Sequence, residues 1–198
     1  MIVVSAALKG GVGKTTTSVY LAALAASDHA AVTVVDTDPQ ASAADWVDGS
    51  DDERLLRVEV DEAPTERLLA KALDRVGVDD VAIVDTPPGH ERLLGKALER
   101  ASVVVVPTRV GGVETSRAEA VLELVPEGVP VGLVICSART FTRDYDEAVA
   151  TWGESGVHVW GTVPERVAIA AGPGRGLAPD GFDAYRGVWR RVQRAALP

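Results

Sequence analysis

At 198 residues and 20.7 kDa, with 46% hydrophobic and 25% charged residues, the chain can bury one sizeable core and is read as a single domain, 1–198. No apolar run reaches the roughly 18 to 20 residues that span a bilayer, Met1 opens onto a β-like run instead of a basic leader, and the lone Cys136 excludes an internal disulfide or a metal cluster held by several thiolates of one chain. A soluble cytoplasmic protein is the expectation, and a net charge of −9 with a pI near 4.8 argues against nucleic acid as a partner unless the charge is unevenly spread.

The first apolar run, 2–7, reads as a strand leading into Leu8-Lys9-Gly10-Gly11-Val12-Gly13-Lys14-Thr15-Thr16, with a helix over 14–26. Strand, glycine-rich loop and helix are the setting of a phosphate-binding loop. Glycines let backbone N–H groups curl around phosphates, and the helix adds the positive end of its dipole. Gly10, Gly11, Val12, Gly13, Lys14, Thr15 and Thr16 are therefore the candidate nucleotide contacts. Lys14 would reach the β- and γ-phosphates, and the Thr15 hydroxyl would ligate Mg²⁺. The general pattern has glycine where Leu8 stands, so the match is to the core Gly-x-Gly-Lys-Thr. Lys9 supplies a second cation, able to offset the charge of a triphosphate and of its transition state. With Lys9 included, the loop resembles that of the ParA/MinD family of deviant Walker-A ATPases, whose mark is Lys-Gly-Gly-x-Gly-Lys-Thr. The resemblance implies ATP and Mg²⁺ as cofactors, and an ATP-dependent sandwich homodimer in which Lys9 reaches the nucleotide of the partner subunit.

A strand over 31–35 ends in Asp36-Thr37-Asp38-Pro39-Gln40, and one over 81–84 ends in Asp85-Thr86-Pro87-Pro88-Gly89. In a parallel sheet these are carboxyl ends of strands, where open α/β folds bind ligands. A carboxylate there can hold Mg²⁺ through water, the task assigned to Asp85. Asp36 and Asp38, two apart, are read as facing opposite sides and holding separate jobs. The resemblance implies that Asp38 orients the attacking water and that Asp36 supports metal and loop from behind. Thr15, Asp36 and Asp85 then form the metal group, and Lys9, Lys14 and Asp38 the catalytic one. Residues 40–46, Gln-Ala-Ser-Ala-Ala-Asp-Trp, are similar to the matching stretch of compact ParA-type partition proteins and differ from the MinD branch. Trp46 reads equally as a core-facing helix residue.

Residues 49–61 lack clear periodicity and read as a surface loop with a short edge strand over 57–60; residues 42–62 hold eight acids against two arginines. Helices over 65–76, 91–100, 115–124 and 143–152 alternate with strands over 102–106, 129–135 and 157–163. Several strands are hydrophobic throughout, as strands buried on both faces are. The fold class is therefore α/β, doubly wound, with a mostly parallel sheet and helices on both faces. Residues 134–140 and 163–167 are similar to family segments that line the adenine; Pro164, Glu165, Arg166 and Val167 would supply backbone contacts, while Ser137 stands where some relatives carry asparagine. Cys136 reads as a small core residue.

A Gly/Pro-rich stretch, 172–181, precedes the last helix, 182–196. Tyr185, Val188, Trp189, Val192 and Ala196 form its apolar face, Arg186, Arg190 and Arg194 follow at i, i+4 and i+8, and Arg191 lies beside them. Residues 165–198 hold six arginines against three acids, so the average charge hides a basic end. Two readings stand: contact with DNA phosphates without sequence preference, or a solvated face bridged to the acidic loop. The helix offers little bulky apolar surface for a membrane. The resemblance implies an ATP-bound dimer that binds DNA non-specifically, a ParB-like or other adaptor protein that stimulates slow hydrolysis, and a cytoplasmic, nucleoid-associated location. Two other functions remain: a positioning ATPase for a protein cargo such as a microcompartment or chemoreceptor cluster, and a P-loop phosphotransferase or ligase acting on a small molecule, against which Lys9 stands.

Overall fold

The computed structural model describes residues 1–29, 31–170, 172 and 176–197. Its elements run β1 (Ile2–Ser5), α1 (Lys14–Asp28), β2 (Val32–Asp36), α2 (Ser42–Asp48), β3 (Val58–Glu62), α3 (Glu66–Leu73), β4 (Val81–Asp85), α4 (Glu91–Leu98), β5 (Val103–Thr108), α5 (Gly112–Leu122), β6 (Val131–Ala138), α6 (Arg143–Glu154), β7 (Val159–Pro164) and α7 (Pro179–Ala195). Seven strands form one sheet in the order β3-β2-β4-β1-β5-β6-β7, with every described pairing parallel. β1 thus lies in the middle, and β3 and β7 are the edges.

The continuous apolar strands divide their side chains between two cores. Val103 and Val105 join the residues of α1, α2 and α7 on one face, while Val104 and Val106 join those of α3, α4, α5 and α6 on the other. All four valines are wholly buried, as a strand covered by helices on both sides requires.

The predicted elements all form, with shifted ends. Thr65 is the cap of α3 and not its first turn: its hydroxyl accepts the Leu68 N–H at 3.3 Å. α7 begins at Pro179, three residues before the predicted start, because proline suits a first helical position that needs no N–H. The acidic stretch before β3 contains the additional helix α2, where Trp46 is buried edge-on against Tyr20 with ring centroids 6.3 Å apart. The centre of the predicted 172–181 linker, including Arg175, lies outside the described residues.

Three side chains fasten the entry to α7. The Asp52 carboxylate accepts the Leu177 N–H at 2.9 Å, Arg54 donates to the Leu177 carbonyl at 2.9 Å, and the Tyr20 hydroxyl accepts the Ala178 N–H at 2.9 Å. Asp52 also pairs with Arg54, whose guanidinium lies 4.8 Å from the centre of the Phe182 ring. Part of the acidic loop therefore anchors the basic helix. The hydrogen bond from Arg54 holds the Asp52 carboxyl at about 2, below the usual 3.8. A depressed carboxylate stabilises the fold above its unfolded value and loses that contribution as pH falls through the folded one. Asp52→Asn should cost about 2 kcal/mol in urea unfolding at pH 7. The gap between parent and variant should close as the pH is lowered from 3.8 towards about 2.

Candidate functional site

At the carboxyl ends of the strands, the turn between β1 and α1 borders a cleft of about 320 Å³. Gly10, Gly11, Gly13, Lys14, Thr15 and Thr16 line it on one side, and Asp38, Arg109, Ser137, Pro164, Arg166 and Tyr185 are among the residues opposite. Gly13 sits at φ 101, and a Cβ there would meet Cys136 Sγ at 3.0 Å; glycine alone fits both constraints. Lys14 is 6% exposed and donates from Nζ to the Lys9 carbonyl at 3.0 Å, which folds the amine back over the loop. Burial pulls the Lys14 amine below its ordinary value, with Asp85 and Asp38 pulling the other way.

Behind the loop, Asp85 is 1% exposed. Its Oδ2 accepts the Thr15 hydroxyl at 2.8 Å and its Oδ1 accepts the Ser18 hydroxyl at 2.9 Å. Burial pushes this carboxyl up to about 7, reinforced by nearby Asp36 and opposed by the two hydroxyls and Lys14. Thr37 and Thr86, each following a strand-end aspartate, stitch neighbouring strands: their hydroxyls donate to the carbonyls of Asp85 and Ser5, both at 2.7 Å. The repeated Asp-Thr after an apolar run was the signal for this brace.

The two acids of β2's end do separate, for a reason other than the expected one. In an unbroken strand, residues two apart share a face. Here the strand stops at Asp36, and the chain turns. Asp36 Oδ2 accepts the N–H groups of Ala43 and Ala44 at 2.8 and 3.0 Å, and Oδ1 accepts that of Asp38 at 3.0 Å. Asp36 is thus the anion at the N-terminus of α2, buried and bound to amides, and its carboxyl is raised by burial despite those bonds. These bonds hold the turn between β2 and α2 and not residues 9–16 as expected, and Asp36 is not a lining residue of the cleft. Asp38 is one, and its Oδ1 accepts the Gln40 N–H at 2.9 Å.

The side chains of the remaining candidates are placed as follows. The Val12 side chain is buried on the opposite side of the loop, against α5. Pro164 and Arg166 line the cleft, whereas Glu165 is paired with Arg139 at 2.5 Å and Val167 is 91% exposed. Lys9 also points away from the cleft, its Nζ 2.5 Å from Glu114 Oε1 on α5. Ser137 lies in the cleft wall at φ 51, a conformation costly for a residue with a Cβ, and its hydroxyl accepts from Arg109 at 3.0 Å. Arg109, unremarked in the sequence, follows an apolar strand just as Asp36 and Asp85 end theirs. Ser18 stands one turn after Thr15, so helical spacing would have found it.

The four helix arginines divide. Arg186 is 3.5 Å from Asp183 and 5.5 Å from the Phe182 ring centre, and Arg191 donates to the Val159 carbonyl at 2.5 Å. Arg190 and Arg194 are exposed, and among the described residues neither makes an ion pair.

The donor set fits a nucleotide with Mg²⁺. No group of three or more His, Cys, Asp or Glu among the described residues could hold a metal by itself. The Thr15 hydroxyl and the Asp85 carboxylate behind it suit an ion that takes its remaining ligands from phosphate and water, as Mg²⁺ does.

Residues 3–179 match the profile of the CobQ/CobB/MinD/ParA nucleotide-binding domain. The chain is 41% identical over 102 residues to a maintenance of carboxysome distribution protein A from Gloeobacter kilaueensis; the match covers 50% of the chain and 45% of that relative, so the chain spans less than half its length. It is 31% identical over 240 aligned positions to the chromosome-partitioning ATPase Soj of Thermus thermophilus, covering 94% of each. In structure it resembles a plasmid partition protein of Borrelia burgdorferi solved with AMPPNP, with a TM-score of 0.75 at 17% identity over 98% of both chains.

Burial also pushes the Cys136 thiol up to about 11, from an ordinary 9.0. Iodoacetamide should therefore alkylate Cys136 about a hundredfold more slowly in the folded chain than in urea at the same pH, as followed by intact-mass spectrometry.

Proposed function

The chain belongs to the CobQ/CobB/MinD/ParA family of nucleotide-binding domains, and from that premise we propose that it is a ParA-type ATPase which uses Mg-ATP to switch its grip on DNA. The observation that carries this reading is the cleft itself: Lys14, Thr15 and Asp38 line one cavity, with Asp85 bonded to Thr15 from behind. Backbone N–H groups of the glycine loop and the N-terminus of α1 bind the phosphates, and Lys14 neutralises them. When bound, Mg²⁺ would neutralise phosphate charge, and Thr15 and Asp85 would hold it. Asp38, anchored through one oxygen by Gln40, orients the attacking water. The apolar walls from Val163 and Ile169 receive the base, beside Ser137 and Pro164.

Arg190 and Arg194 are the DNA contacts in this reading, since Arg186 and Arg191 are already engaged by the protein. A homodimer doubles the patch, and an adaptor protein stimulates the slow basal turnover. The working location is the cytoplasm, on the nucleoid. Among the described residues no helix is long and apolar enough to cross a membrane. A second reading is favoured by the 41% identity to the carboxysome distribution protein: the same cycle would then position a protein assembly instead of a replicon.

Lys14→Ala should reduce Mg²⁺-dependent ATP hydrolysis by at least about a hundredfold, measured as phosphate release; undiminished turnover would remove the central claim. Duplex DNA should be retained with ATP and lost with rising salt. Arg190→Glu should weaken that retention several-fold across unrelated sequences, whereas equal retention by variant and parent would move the contact to another surface.

A further inference from the structure

Arg109 stands just past the end of β5 and is one of the residues lining the cleft. Among the described residues it makes no ion pair. The other cleft guanidinium, Arg166, is engaged: it lies 3.7 Å from Asp180 and donates to the Glu165 carbonyl at 3.1 Å. A bond to Ser137 fixes where the Arg109 charge sits. Ser137 holds φ 51, which is unfavourable for a residue with a Cβ, and its hydroxyl is spent on accepting from Arg109 at 3.0 Å. Before it in the chain, Cys136 packs against the phosphate loop, with Sγ 3.0 Å from where a Gly13 Cβ would stand. After it, Ala138 pairs with Pro164, at the wall that receives the base in the reading above. Ser137 thus stands between loop and base wall, and it sets Arg109 between them too.

A nucleotide with its outer phosphates on the loop and its base at the wall has its α-phosphate and sugar at this midpoint. Only the α-phosphate of the two is charged, and a planar guanidinium matches phosphate oxygens with two parallel donors. We propose that Arg109 is a nucleotide-binding residue that donates to the α-phosphate, and that Ser137 is the positioning residue that aims it. This deepens the nucleotide-site reading above and rests on it. Lys14 and the loop amides serve the outer phosphates, whereas Arg109 serves the phosphate that ATP and ADP share. The contact therefore outlasts hydrolysis, and Arg109 holds the product as firmly as the substrate.

The test is calorimetric titration of the full chain with Mg-AMPPNP, Mg-ADP and the two diastereomers of Mg-ADPαS, in which sulfur replaces one α-phosphate oxygen. Arg109→Ala should weaken AMPPNP and ADP equally, by about tenfold. Arg109→Lys, which keeps the charge but not the fork, should lose about threefold. At least one ADPαS diastereomer should bind the parent more weakly than ADP does, and that penalty should shrink in Arg109→Ala. Ser137→Gly removes the hydroxyl and relieves the backbone, so it should raise the melting temperature while weakening ADP about threefold; the weakening should vanish in an Arg109→Ala background. Thermal melting of every variant checks the fold. Arg109→Ala binding ADP as the parent does, a loss confined to AMPPNP, or a sulfur penalty equal in parent and Arg109→Ala overturns the proposal. Ser137→Gly binding as tightly as the parent overturns the positioning role. Lys14→Ala is the separate control: if it still binds AMPPNP as the parent does, the phosphate-loop reading fails, whatever Arg109 does.

Discussion

Asp85 closes a central strand with its carboxylate cut off from water, and the rest of the site is arranged around it. A buried carboxylate is costly unless it is hydrogen-bonded, and here both oxygens receive hydroxyls from the first turns of α1. Those bonds pin the helix to the sheet, which fixes where Gly13 must turn and where Lys14 must reach. They do not fully settle the charge, since burial still leaves the carboxyl near 7. A divalent cation in front of it would reverse that balance. The fold thus keeps an unresolved anion at the place where its proposed function calls for a metal.

Around this centre, small hydroxyl bonds do what larger contacts do elsewhere. Thr37 ties β2 to β4 and Thr86 ties β4 to β1, so three strand ends beside the cleft are bonded to one another. Tyr185 extends the linkage to α7: its hydroxyl lies 2.9 Å from that of Thr17 on α1, and its ring stacks on Tyr20 at 5.1 Å. A side chain at the cleft wall and the exposed arginines therefore belong to the same helix.

The alternation of strands and helices was legible because valine runs and 3.6-residue spacing report burial directly. The loop was legible for a similar reason, since Gly-x-Gly-Lys-Thr is a local geometry written in adjacent residues. Asp36 was legible only in part. Its sequence position suggested a metal site, but its partners are amides seven and eight residues on, which become neighbours only because α2 starts there. The direction of Lys9 was not legible at all, because Glu114 is distant in sequence and its α5 position carries no pattern. Charge counting offered a bridge from the basic helix to the acidic loop but not its form: Asp52 and Arg54 brace the Leu177 backbone at the entry to α7, while Arg186 pairs with Asp183 of its own helix. The global charge is a poor guide to either surface.

The sheet's two margins bear on how such a chain lives at high concentration. β3 presents Glu59, Asp61 and Glu62 along one margin, and at the other Arg191 occupies the backbone carbonyl of Val159. An incoming strand from another molecule would meet like charges on the first and a carbonyl already taken on the second. Edge-to-edge addition of strands is thus discouraged at both margins of the sheet.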